Sequence, residues 1–357
     1  MNRILLAVVT GFWFPLSLFA QGILDFHPDE AVVPRLLAAR KPAMYAEEKP
    51  GPASWTLLHF SDIHGCSENL ERIVAFRNHY AGYIDAALHT GDSVTDEIAD
   101  GNPWDRVEGA GSLMNAVGNH DIRIGQEESA DQEVTYRFLL EPHVRGWGVV
   151  QPEGVGKKGD RHYAACYYYR DYPRSGIRLI VLDGMHYAEA QEEWFRECLS
   201  GALAGNLQVV VANHLPAEKG ILPLESGFTE RDEPLGEETG RHRLPDSAFA
   251  VADAFLDRGG VLVCWLAGHA HQDFVGPVRG HERQFQVMVD KAGWADWFMD
   301  EDRTPGTPFQ DSFNLLTVNP GRGIFVIDRI GCNRDQYLRG KHLFVYDYRN
   351  REIIVNE

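Results

Sequence analysis

The sequence predicts an α/β fold, and two observations carry that expectation. From Trp55 onward, short apolar runs alternate with stretches of helical periodicity. Several of those runs also stop at compact polar clusters, as strands do when their carboxyl ends face a ligand site. The chain has 357 residues, 44% of them hydrophobic, which supplies a sizeable core and excludes disorder over most of its length.

The elements follow in order. Arg3 precedes an almost wholly apolar run from Ile4 to Ala20. Residues 1–20 read as a secretory signal, cut near Ala20, which predicts an exported chain, periplasmic or extracellular. A retained membrane anchor is the alternative, since the run is at the lower limit for spanning a bilayer. Residues 21–54 hold five prolines and mixed charge and read as a leader segment. Residues 55–357 read as one domain, β-rich from about 275, with no membrane span in the mature chain.

Within that domain, Trp55–Phe60 reads as the first strand. A helix capped by Ser67 is expected through Tyr80, with Leu70, Ile73 and Val74 at helical spacing. Strands are expected over Tyr83–His89, Leu113–Val117, Ile177–Leu182, Leu207–Ala212 and Val261–Ala267. Helices are expected over Gln191–Leu199 and Ser247–Arg258. Gln284–Val289, Phe313–Val318, Ile324–Ile327 and Leu343–Tyr346 complete the set as strands. Two long segments, Arg123–Gly176 and Pro216–Pro245, interrupt the alternation, and loops of that length usually carry function or structure of their own.

Charge narrows the partners. A formal net charge of −18 repels nucleic-acid backbones and anionic lipid. It does not exclude a small anionic substrate, because a bound cation reverses the local field. The five cysteines lie far apart without a C-x-x-C pair, which disfavours a thiolate zinc site. An exported chain could pair some of them, with at least one left over. Cys264 lies in an apolar run and reads as a small buried hydrophobe, and Cys66 as structural. Oligomeric state is left open.

The chemistry-bearing residues gather at five strand ends. Asp62 and His64 stand two apart in S-D-I-H-G, a spacing that points both side chains the same way on an extended chain. Asp92 closes T-G-D. Asn119, His120 and Asp121 follow Gly118, which reads as the residue that turns the chain. His214 follows Asn213, and His269 and His271 repeat the two-apart spacing in G-H-A-H. Each cluster alone has a bland reading as a turn or surface polar group. Five together, in this order, do not.

The order D-x-H, G-D, G-N-H-D, H, G-H-x-H from Asp62 to His271 resembles the signature of calcineurin-like metallophosphoesterases. That resemblance implies a four-layer α-β-β-α sandwich, with two mixed β-sheets and a dinuclear metal site at the strand ends. It places one ion on Asp62, His64, Asp92 and His271, and the other on Asp92, Asn119, His214 and His269. It makes His120 the non-ligand histidine beside the reacting phosphate, with Asp121 behind it as an orienting carboxylate. Purple acid phosphatases add a tyrosine at the position of Thr95, so their coloured iron centre is not expected.

The residue types suit the implied reaction. Imidazole and carboxylate favour Mn, Fe, Zn, Ni or Co, as divalent or mixed-valence ions. Two ions about 3.5–4 Å apart can clamp a phosphoryl group and lower the pKa of a bridging water. The expected activity is hydrolysis of a small phosphomonoester or phosphodiester by in-line attack of that bridging hydroxide. A nucleotide or lipid pyrophosphatase is one alternative. A non-catalytic metal-binding scaffold of the same fold is the rival from another class, but scaffolds of that kind lose ligands, and none is missing here.

Weaker features have two readings each. Asn213, Arg241, His242 and Arg243 are candidate substrate contacts, against strand-end hydrogen bonding for Asn213 and a solvated loop for the others. Trp147, Tyr163, Tyr167, Tyr168 and Tyr169 could stack on a substrate, against the commoner packing of a strand on its sheet.

Overall fold

The computed structural model describes residues 53–94, 101–123, 132–152, 156–158, 161–217, 243–293, 310–333, 338 and 340–357. The expected signal and leader therefore lie outside the described residues, as do Thr95, Arg241 and His242.

Two mixed sheets form the centre. One has seven strands in the order β15-β14-β13-β12-β1-β2-β3, and the other six in the order β10-β11-β9-β8-β7-β6. The first comprises β1 (Trp55–Phe60), β2 (Ala86–His89), β3 (Met114–Asn115), β12 (Ser312–Asn319), β13 (Ile324–Gly331), β14 (Leu343–Asp347) and β15 (Glu352–Asn356). The second comprises β6 (Tyr168–Tyr172), β7 (Ile177–Val181), β8 (Gln208–Ala212), β9 (Leu262–Ala267), β10 (Phe274–Val278) and β11 (His281–Met288). A small hairpin, β4 (Gly156–Lys158) with β5 (Arg161–Tyr163), stands apart from both. β1, β2 and β3 run parallel, as do β7, β8, β9 and β11. Their carboxyl ends consequently lie at one pole of each sheet.

Alternation along the strands builds four layers. Trp55 and Leu57 of β1, Leu179 and Val181 of β7, Val210 and Ala212 of β8 and Leu316 and Val318 of β12 fill the space between the sheets. Leu58 and Phe60 of β1 face outward onto helix α1 (Ser67–His79), meeting Leu70, Ile73 and Phe76. Ile180, Val209, Val211 and Trp265 face outward onto α2 (Glu189–Ala204) and α3 (Asp246–Asp257), meeting Phe195, Leu199, Phe249 and Phe255. Strands covered on both faces lose the period-two signal, which is why β7 to β9 read as continuous apolar runs. At about 25 cal/mol per Å² of apolar surface removed from water, these three clusters supply the main drive for folding.

Several local expectations are corrected. Helix α1 starts at Ser67, after its cap Cys66, whose side chain makes no cap hydrogen bond, so Ser67 is not the capping residue. Helix α3 likewise starts at Asp246 after Pro245, not at Ser247. Strand β2 is four residues long and β3 only two, shorter than the apolar runs that announced them. β10 and β15 were not anticipated. Phe274–Val278 contains Gly276 and Pro277, residues depleted from central strands and tolerated at this sheet edge. All five cysteines are free thiols, so none of the possible pairings forms. Cys264 is buried as expected, and Cys66 donates to Asn69 Oδ1 at 2.9 Å. Trp147, Tyr167 and Tyr168 are buried, the tryptophan donating to Gly111 O and Tyr168 to Asn115 O, which assigns them to packing. Among the described residues no helix is long and apolar enough to cross a membrane.

Candidate metal centre

The loops after β1, β2, β3, β8 and β9 meet at the carboxyl pole. The β1 and β2 loops are zipped together by backbone bonds from Asp62 N to Gly91 O (2.9 Å), His64 N to Asp92 O (3.0 Å) and Gly65 N to Ser93 O (2.9 Å). Ile63 between the two candidate ligands is fully buried and anchors the loop in the core.

Backbone strain is concentrated here. Seven non-glycine residues among those described have positive φ, and five are Asp62 (55°), His64 (47°), Asp92 (59°), His269 (71°) and His271 (51°). The left-handed region costs about 1–2 kcal/mol per residue for an L side chain. The D-x-H and H-x-H pairs thus gather their side chains through left-handed turns, not through the extended geometry their spacing suggested. Strain of this kind persists only where the surroundings hold it, and it clusters at functional sites.

Two groups of donor atoms result. Those of Asp62, His64, Asp92 and His271 lie within 4.8 Å of one another, and so do those of Asp92, His214 and His269. Asp92 belongs to both. Nε2 of His64 faces Nε2 of His271 at 3.0 Å. In the second group Asn119 Oδ1 lies 3.0 Å from His214 Nε2 and 2.8 Å from His269 Nδ1, and those two ring nitrogens are 3.1 Å apart. Asp62 Oδ1 is buried, 3.2 Å from His271 Nε2, yet accepts no aligned hydrogen bond. Lone pairs converging in this way, with few protons between them, fit divalent transition-metal ions.

The supporting layer fixes the tautomers and the backbone. Thr90 O accepts from His214 Nδ1 at 2.8 Å, which turns the Nε2 lone pair toward the cluster. Asp62 Oδ2 accepts from His269 N at 3.0 Å, linking the two groups through the backbone. The expectation that Asp121 orients His120 is corrected. Its oxygens accept from the backbone N–H groups of Asp92 (3.0 Å), Ser93 (2.8 Å), Val94 (3.3 Å) and Gly118 (2.8 Å), so it clamps the loop that carries Asp92. Gly118 has a different reason from the turn first assigned to it. Its φ is not positive, but a Cβ there would overlap Asp92 Oδ1 and Asp92 N. Gly91 combines both demands, with φ +108° and a prospective Cβ 2.6 Å from His214 Nδ1.

Electrostatics follow from burial and crowding. Burial disfavours ionisation of Asp92, but the charge and hydrogen bond of His214 outweigh it and lower its carboxyl to about 2. His214 responds in the opposite sense: burial disfavours the cation, Asp92 outweighs it, and the imidazole rises to about 9. Burial also opposes the charge on Asp62, yet His271 holds that carboxyl well below the usual range. Burial lowers His64, and burial with the nearby charge of Asp92 raises Asp121 to about 7. A metal ion binding beside His214 Nε2 must displace the proton that Asp92 favours there, so metal uptake releases protons.

His120 stands outside both donor groups. Its backbone N donates to Asp92 Oδ1 at 2.8 Å, while its Nε2 stands 3.9 Å from Asp92 Oδ2. The side chain is 27% exposed, close to the 22% of His271 and unlike the fully buried His214, so it borders the open side of the site together with His271. Asn213 is buried next to His214, its Oδ1 without a hydrogen-bond partner. Arg243 forms an ion pair with Asp246 in the first turn of α3, which is the solvated-loop reading and not a place in the cluster.

A family profile described as calcineurin-like phosphoesterase matches residues 56–273. Among solved structures, a dimetal phosphatase from Danio rerio is 12% identical, with 78% of this chain and 96% of that chain covered and a TM-score of 0.50. A purple acid phosphatase from yellow lupin (Lupinus luteus) seeds is 15% identical, with 84% of this chain and 55% of that chain covered and a TM-score of 0.45. The likeness to the first extends the shared architecture beyond the matched motifs. No curated protein matches the sequence.

Proposed function

The chain belongs to the calcineurin-like phosphoesterase family, and on that premise we propose that it hydrolyses a small phosphomonoester or phosphodiester at the two-cluster site. The observation that carries this reading is the sharing of Asp92 between the two donor groups. We assign Asp62, His64, Asp92 and His271 to one ion, and Asp92, Asn119, His214 and His269 to the other. Two such ions supply positive charge to the phosphoryl oxygens and lower the pKa of an attacking water.

The remaining work belongs to the protein's own groups. Asp92 draws the two halves together, and its geometry is held by Asp121 and by the N–H of His120. Asn119 contributes an amide oxygen that adds no negative charge beside an anionic substrate. His120, on the open side, donates a hydrogen bond from Nε2 to a phosphoryl oxygen or protonates the departing oxygen. Water oxygen bonds to phosphorus as the bond to the leaving oxygen breaks, and the proton ends on that oxygen. No covalent phospho-enzyme is required, since no side-chain nucleophile is needed for a single in-line displacement.

The test is a panel of aryl phosphate mono- and diesters, nucleotides and phospholipids, each assayed with Mn, Fe, Zn, Ni and Co. Turnover of at least one phosphoester class is expected, and the mono- to diester ratio sorts the two readings. Stoichiometric metal uptake with no turnover on any member would favour the scaffold instead. The apolar run from Ile4 to Ala20 further supports export. N-terminal sequencing of the mature protein should begin near Gln21, and a retained Met1 would overturn that part.

A further inference from the structure

We infer that Arg329 and Asp273 are positioning residues that set the metal affinity of one half of the site, the half built from Asp62, His64 and His271. The inference rests on the ligand assignment proposed above.

The two halves are braced by different parts of the chain. Asp92 and His214 are held from within the motif region, by Asp121 and Thr90 O. Asp62 and His271, besides the bonds from Asp62 N to Gly91 O and from His269 N to Asp62 Oδ2, are also tied to residues after that region. Beyond β11 the chain crosses from the six-stranded to the seven-stranded sheet as a short strap, residues 289–293. Val289 N donates to Ala267 O at the end of β9 (3.1 Å). Lys291 then pairs with Ser61, while Ala292 N donates to Ser61 O (2.7 Å) and Gly293 N to Asp62 O (3.1 Å). The strap passes so close to the Asp62–His64 turn that a Cβ on Gly293 would come within 2.5 Å of Ile63 O.

Asp273 and Arg329 tie this strap down. Asp273 is two residues beyond His271, and its Oδ1 accepts from Asp290 N at 3.2 Å. Its Oδ2 is paired with Nη2 of Arg329, both side chains at most 5% exposed. Arg329 lies on β13, and its other donors reach Asn314 Oδ1 on β12 (3.1 Å) and Cys332 O (2.9 Å). The guanidinium therefore joins the seven-stranded sheet, the segment carrying His271 and the strap behind Asp62. It touches no candidate ligand itself, so any effect on the metal passes through these partners. Groups hydrogen-bonded directly to ligands typically change metal affinity about 10–100-fold, and this pair acts one contact further out, which sets the lower end of that range as the expectation.

The test is calorimetric titration of chelator-stripped full-length protein with Mn²⁺, with circular dichroism and thermal melting to report the fold. Arg329→Met alone removes the cation beside a buried carboxylate, a change that can unfold a chain. The neutral pair Arg329→Met/Asp273→Asn removes both charges together and keeps the Asn oxygen for Asp290 N. Wild-type protein should bind two ions. The neutral pair should bind one ion as tightly as wild type and the other about 10-fold more weakly. Excess Mn²⁺ should restore kcat, and Arg329→Lys should fall between. Added to His271→Ala, which weakens the same half directly, the neutral pair should leave the surviving ion's affinity unchanged. A folded neutral pair with both wild-type affinities overturns the inference, as does equal weakening of both sites. Wild-type protein that takes up no metal overturns the ligand assignment itself, and this inference with it.

Discussion

Asp92→Asn is expected to lower turnover of an aryl phosphate by about 10³-fold or more and to cut bound metal from two equivalents to one or fewer. Removing one stabilising group from a preorganised site typically costs about 10²–10³-fold. Asp92 belongs to both donor groups, so its loss disturbs both. The asparagine keeps the side-chain shape, and Asn is among the residues that tolerate left-handed backbone, so φ of 59° remains accessible. The variant should fold, which separates ligand loss from collapse of the loop. It also removes the charge that raises His214 to about 9, so that imidazole should titrate at lower pH in the metal-free protein. Elemental analysis beside turnover reads the first effect. Wild-type turnover with two bound ions would refute the bridging role.

His120→Ala should produce a different pattern, a fall in kcat of about 10²–10⁴-fold with both ions retained. The imidazole borders the open side, its Nε2 3.9 Å from Asp92 Oδ2, while the close hydrogen bond to Asp92 comes from the backbone N–H, a contact alanine preserves. If His120 protonates the leaving oxygen, the deficit shrinks for leaving groups that depart readily as anions. A series of aryl phosphates of graded leaving-group acidity measures that trend. Metal loss in this variant, with turnover falling in proportion, would reassign His120 to metal retention.

The residues that bear lone pairs were readable in the sequence because their chemistry restricts them. A strand that ends in Gly-Asn-His-Asp has no structural need for that set, and five such ends had to converge if the alternation meant an α/β fold. What could not be read was how the backbone delivers them. Asp62, His64, Asp92, His269 and His271 reach the site through left-handed φ, and spacing alone suggested extended chain. Asp121 was misassigned for a related reason. Adjacency to His120 suggested a partner for its ring, whereas the carboxylate accepts from four N–H groups, three of them on a loop about thirty residues away. The strap at 289–293 left no signal either, since its role lies in backbone bonds that join strands distant in sequence. Among the elements, long helices and fully covered strands were found, with ends shifted by a few residues. Edge strand β10 carries Gly276 and Pro277, which edges tolerate and which mask a strand signal, and β15 is a short run of five residues with no period-two alternation.

The proposed phosphoester hydrolysis needs two ions, held by donor groups that share Asp92. Titrating chelator-stripped wild-type protein with Mn²⁺ while following turnover of its best phosphoester substrate tests it most directly. Activity should be absent without metal and should rise to a plateau at two equivalents per chain. A plateau at one equivalent, or turnover that survives complete removal of metal, would contradict it.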